Sequence, residues 1–300
     1  MSHGSGTLAK LALFRSGQIC GLGVVSDASI EPLKGYSGAT DPHVEFERFV
    51  GEWAKGDLDV GVTGPSVNLA EATLLAPIPR SGKILCQVVN YAEHGEEASI
   101  APPSKPFFFL RPYSSTIGAS SGIQAHAGSS RIDYEAELAV MIRVPGRNIE
   151  VRDALGHVGA LLIANDVSYR DLQFNVGHED LNTRFGRNWT HGKGLDGSCV
   201  LGPWLTLMSD PDDLLASRII ETHVNGTPRQ SAKTGQMLFG IEELISAASQ
   251  GMTLHPGDVI LTGTPAGVGL ADGRYLKPGD TVTVAIEGLG QIENQVAAAY

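Results

Sequence analysis

The chain has 300 residues, 42 % of them hydrophobic, and carries 22 Lys and Arg against 33 Asp and Glu, a formal net charge of −11. That length and apolar content suit one large core or a small and a large one, while the acidic balance and the absence of any basic run exclude nucleic-acid binding as the main role. No apolar stretch reaches the roughly eighteen residues of a membrane span, and Cys20, Cys86 and Cys199 form no CxxC pair, which argues against a disulfide framework and a zinc knuckle.

The opening MSHGSGTLAK lacks the charged start and apolar stretch of a signal peptide, which points to a cytoplasmic protein. From Leu11 to Leu75 the pattern predicts short strands and a helix over 43–54 (HVEFERFVGEWA). The proline-rich stretch 76–81 (APIPRS) reads as a linker, dividing the chain into a small N-terminal α/β module, 1–78, and a main domain, 79–300. Beyond it, apolar or alternating runs predict strands at 84–89, 107–110, 136–144 and 161–164, and helices at 151–158 and 240–248. The turn phrase Pro-Gly-Asp occurs at 256–258 and again at 278–280, each time leading into a β-branched strand, and a last strand covers 291–296. Thirty-seven glycines and only 6 % aromatics complete the picture of a β-rich α+β fold with its strands wrapped into a roll or barrel.

Three groups of residues offer chemistry. Glu135 and Glu137 stand at i and i+2 where a strongly apolar strand opens, so both carboxylates share one face. Such a pair suits a solvated strand face or a bound cation, and unpaired carboxylates are expensive to bury without one. Asp166 ends the apolar run 161–165, where it serves as a helix cap or a third ligand. Three carboxylates without Cys or His favour a hard ion such as Mg²⁺ or Mn²⁺. In NYAEHGEE, His94 and Glu97 are three apart, neighbours on a helical turn, with Glu93 and Glu96 competing for the same pairing. A carboxylate on one imidazole nitrogen strengthens the other as a base. Lys193, flanked by glycines, reads as a surface turn lysine or as a cation for a developing enolate. The run TGTPAGVG from Thr262 lacks the Lys-Ser/Thr of a phosphate loop, which excludes nucleotide binding, but its hydroxyls and amides suit a carboxylate.

The order of these phrases resembles the fumarylacetoacetate hydrolase family. The matching stretches are NYAEHGEE from Asn90, KPFFFLRPYSSTIG from Lys105, DYEAELAVMIRVPGRNI from Asp133 and IANDVSYRDLQ from Ile163. They continue with GKGLDGSCVLGPWL from Gly192, VNGTPRQ from Val224 and MTLHPGDVILTGTPAGVG from Met252, so the resemblance covers 83–294. It implies a mixed β-roll in a homodimer, with one Mg²⁺ or Mn²⁺ held by Glu135, Glu137 and Asp166. It implies a catalytic dyad of His94 and Glu97, an active-site Lys193, and substrate contacts from Thr264, Arg111, Tyr113 and Gln230. The chain departs from the family pattern at 86–89, at Arg111, at Gly194 and at Lys233-Thr234, and the stretch 174–188 is longer than in compact members.

The implied chemistry is a metal-stabilised enolate formed from a small 2-oxo carboxylic acid. The main expectation is hydrolysis of a carbon–carbon bond in a β-diketo or acylpyruvate substrate. The alternatives are decarboxylation of an oxaloacetate-like acid, isomerisation of a 2-hydroxy-dienoate of aromatic catabolism, and dehydration or lysis of a sugar-derived 2-oxo acid. A non-catalytic member that keeps its metal as a structural element is the remaining reading.

Overall fold

The computed structural model describes residues 9–38, 40–56, 61–208 and 210–299; the signal-peptide reading of the first eight residues lies outside them. Near-continuous apolar segments set the centre of the fold. Strand Ala136–Ile142 pairs antiparallel with Val158–Asp166, and both are buried along their whole length. Their alternate side chains feed two cores. Leu138, Val140, Leu161 and Ile163 face one, and Ala139, Met141, Ala160 and Leu162 face the other. A strand buried on both faces cannot alternate apolar with polar, which explains the unbroken runs in the sequence.

Around this pair, a 12-stranded sheet is assembled among the described residues. Val259–Leu261 flanks one side, and Ile84–Gln87 then pairs with it in parallel. On the other side Cys199–Leu207 pairs with Val158–Asp166 and also accepts the N-terminal strand Lys10–Ser16, through Lys10↔Thr206 and Leu11↔Leu205. The N-terminal strands therefore continue the sheet that carries the centre of the molecule. A five-stranded sheet contains Ile219–Val224, Thr227–Lys233, Thr281–Ile286 and Gly290–Ala297. The result is the mixed, sheet-rich α+β fold expected from the sequence; no closed barrel forms among the described residues.

Helix Pro42–Lys55 begins where Asp41 accepts from the His43 amide and ends at Gly56, whose φ of 81° is the left-handed turn that favours glycine. Its buried face, Phe46, Phe49, Val50 and Trp53, joins the second core. The seat is tight at Gly159, where an added Cβ would lie 2.4 Å from the Trp53 indole. Gly159→Ala is expected to destabilise the protein by about 1–3 kcal/mol, because the helix must lift for one methyl group. Urea unfolding checks this, and an unchanged midpoint would mean that the helix is not seated as described.

Candidate metal centre and acid–base site

Strand register creates the site. Ala136 faces Asn165 and Glu137 faces Ala164 across the central pair, and the Asp166 amide donates to the Glu135 carbonyl at 2.8 Å. The alternation of side chains puts Glu135 and Glu137 on one face beside Asp166. Their carboxylate oxygens lie within 4.8 Å of one another, and all three residues are buried.

Cations close around them. Lys193 Nζ donates to Glu135 Oε2 at 2.6 Å, to Asp166 Oδ2 at 2.7 Å and to the Asp166 carbonyl at 2.8 Å, which occupies all three of its protons. Arg170 bridges Asp133 Oδ2, at 2.8 Å, and Glu135. Arg111 pairs with Asp166 from behind and donates to Ser198 Oγ at 2.9 Å. The buried cluster thus contains four carboxylates (Asp133, Glu135, Glu137 and Asp166) against three basic side chains (Arg111, Arg170 and Lys193).

The imbalance falls on Glu137. Burial first, then the Asp166 and Glu135 charges, push its carboxyl well above the ordinary range. Burial also opposes ionisation of Glu135, but Lys193 and Arg170 outweigh it and hold that carboxyl below its usual value. Three clustered oxygens, one of them on a carboxyl that lacks an ion-pair partner, fit a hard divalent ion. Glu135, Glu137 and Asp166 are the residues that can hold it.

The run TGTPAGVG wraps the same cluster. Its amides bind the chain's own acids: Gly263 N donates to Glu137 at 2.6 Å, Gly267 N to both Glu97 oxygens at 2.9 and 3.0 Å, and Gly269 N to Asp133 at 2.6 Å. Gly267 must be glycine, since its φ is 101° and a Cβ would lie 2.0 Å from the Arg229 carbonyl. His94 and Glu97 share the helix Ala92–Glu97, but His94 Nδ1 stands 3.8 Å from Glu97 and has no hydrogen-bond partner among the described residues. Lys193 ends the short helix Trp189–Lys193, which Asn188 caps by accepting from the His191 amide. That helix can approach the Gln173 side chain only because Gly192 has no Cβ; one would sit 2.5 Å from the Gln173 Cβ.

A cavity opens onto Glu135, Asp166, Lys193 and His94, walled by Phe109 and Trp189 stacked 4.5 Å apart. The four residues named for substrate contact lie off its lining. Arg111 is sealed behind Asp166. Gln230 spends its amide on Thr264 and the Pro265 carbonyl, and its oxygen on Thr222 and the Ala136 amide. The Tyr113 hydroxyl is 3.3 Å from His43 Nδ1. Conversely, Arg170, Gln173 and Arg187 line the cavity and were not singled out from the sequence. Arg170 had a legible signal, a cation in the phrase IANDVSYRDLQ, four residues after Asp166.

The chain matches the family model described as fumarylacetoacetate (FAA) hydrolase C-terminal over residues 83–297. It is 41 % identical over 237 residues to "Oxaloacetate tautomerase FAHD2A, mitochondrial" of Bos taurus, covering 77 % of this chain and 72 % of that protein. Among solved structures it resembles a 2-hydroxyhepta-2,4-diene-1,7-dioate isomerase from Mycobacterium marinum (TM-score 0.73, 30 % identity, 96 % and 98 % of the two chains). It also resembles the fumarylacetoacetate hydrolase of Exiguobacterium antarcticum (TM-score 0.77, 33 % identity, 97 % and 99 % of the two chains). The cytoplasmic location expected from the sequence is overturned here. The mammalian relatives are named as mitochondrial proteins, and a short N-terminal reading carries no weight against that.

Glu137 forms no ion pair in the described structure, so its removal strands no cation. Titrating chelator-treated protein with Mg²⁺ or Mn²⁺ is expected to stabilise it by about 2.7 kcal/mol at a hundredfold excess over Kd. Glu137→Gln is expected to remove most of that gain. A wild-type melting temperature indifferent to both ions would refute the metal assignment.

Proposed function

The chain belongs to the fumarylacetoacetate hydrolase family, and we propose that within it the chain is an enolising isomerase, interconverting the 2-oxo and 2-hydroxy-enoic forms of a small carboxylic acid. Hydrolysis, the main expectation from the sequence, has less support than its isomerase and decarboxylase alternatives, because the named relatives include oxaloacetate tautomerases and a 2-hydroxyhepta-2,4-diene-1,7-dioate isomerase.

The observation that carries this reading is the contrast between Lys193 and the His94–Glu97 pair. Lys193 is 2 % exposed and fixed against two of the three clustered acids. The pair that would activate a water for hydrolysis is not joined: Glu97 gives both oxygens to Gly267, and His94 keeps an unpartnered Nδ1. His94 lines the same cavity as Lys193, within reach of a proton on carbon next to the group that Lys193 faces.

A divalent ion held by Glu135, Glu137 and Asp166 would supply Lewis acidity that lowers the pKa of the C–H bond beside a 2-oxo group. His94 takes the proton from C3, and the C–H electrons become the C2=C3 bond. Negative charge then grows on the C2 oxygen, where the Lys193 ammonium offsets it. Returning the proton to that oxygen gives the enol, and returning it to C5 of a conjugated chain gives the shifted isomer. No atom is lost. Phe109 and Trp189 keep the cavity wall apolar, which strengthens the charge interactions inside it.

Mixing the metal-loaded protein with enol oxaloacetate is expected to accelerate loss of the enol absorbance with no change in mass. His94→Ala is expected to lower kcat by about 10²–10⁴ and Lys193→Ala by about 10²–10³, while His94→Ala leaves ion binding intact. Two fragments, or CO₂ at the rate of enol loss, would overturn the isomerase reading.

A further inference from the structure

Three basic side chains line the cavity: Lys193, Arg170 and Arg187. Lys193 is bonded to Glu135 and Asp166, and Arg170 to Asp133 and Glu135. Arg187 has no carboxylate partner among the described residues. Its guanidinium lies 3.9 Å over the Phe174 ring, itself part of the cavity wall, and a cation–π contact of this kind holds the fork in place without saturating its donors. Partial desolvation at the cavity mouth, then the like charge of Arg170, push its pKa down, with no neighbouring acid acting in the other direction.

The backbone beneath it is tied. The Asn188 amide donates to the Gln173 carbonyl at 2.9 Å, and the Trp189 amide to the Arg187 carbonyl at 3.0 Å. Lys193 is almost fully buried whereas Arg187 is exposed, so the two cations meet the cavity at different depths. A planar fork with free donors is a carboxylate receptor, and preorganisation limits the entropy lost on binding.

We propose that Arg187 receives the distal carboxylate of a dicarboxylic substrate and so sets a preference for diacids over monoacids. This rests on the enolising reading above, whose chemistry takes place at the other end of the same molecule. The substrate class is a 2-oxo or 2-hydroxy-dienoic diacid, with its oxo-acid end at the Lys193 side and its second carboxylate on the guanidinium.

The test compares 2-hydroxyhepta-2,4-diene-1,7-dioate with its 7-methyl ester on the metal-loaded full chain. Wild type is expected to favour the diacid in kcat/KM. Arg187→Ala should lower kcat/KM for the diacid roughly 10- to 100-fold, chiefly through KM, and lower it for the half-ester by much less, while an unchanged stabilisation by the divalent ion shows that the variant is folded. Arg187→Lys should recover part of the loss. An Arg187→Ala variant that keeps the wild-type ratio of diacid to half-ester overturns the proposal. Calorimetric titration with 2-oxoadipate and its 6-methyl ester reads the same contrast without turnover. If wild type turns over neither dienoate yet binds the diacid through Arg187, the isomerase reading fails and the carboxylate receptor stands. Equal binding of acid and ester by wild type and variant removes the receptor whatever the activity.

Discussion

Four buried carboxylates facing three buried cations form the constraint around which this molecule is arranged. Buried charge is tolerated only when paired and hydrogen-bonded, and almost every group here is. Arg111 backs Asp166, Arg170 joins Asp133 to Glu135, and Lys193 joins Glu135 to Asp166. Glu137 is left with one backbone amide. A divalent ion held by Glu135, Glu137 and Asp166 would add the positive charge that this acid-rich cluster lacks.

The glycine-rich loop serves this balance from the backbone. Its three amides hold Glu137, Glu97 and Asp133, one acid from each of three roles: candidate ligand, candidate dyad member and structural anchor. Asn90, just ahead of the His94 helix, bonds to the Thr262 carbonyl at 2.7 Å and completes the tie. The loop has the chemistry of an anion-binding turn directed inward, at the protein's own carboxylates. The sequence phrase showed the donors but not the direction in which they point.

Legibility followed range. Strand Thr281–Ile286 and helix Pro42–Lys55 came out within a residue or so, because alternation and capping are local signals. The acid cluster was legible as far as Glu135 and Glu137 share a face; that Asp166 stands beside them depends on pairing Ala136 with Asn165, which are far apart in the sequence. Gln230 and Tyr113 show the limit. Both sit in recognisable phrases, but the hydrogen bonds they make, to Thr264, the Pro265 carbonyl and His43, are to partners no local pattern reveals. Arg187 was missed for the converse reason: it lies in a stretch without periodicity, and only the fold turns it toward the cavity.

The two loops that meet the site differ in how freely they can vary. A change in the run 262–269 reaches three acids at once through their amides, so its effects on ion, dyad and anchor are bound together. The stretch 174–188 holds none of those acids and touches the cavity through Phe174 and Arg187. Its length and side chains can drift while the charge cluster stays whole. Lineages of this fold can therefore diversify in what they accept without reinventing how they react, and laboratory selection for new acids has a natural place to begin.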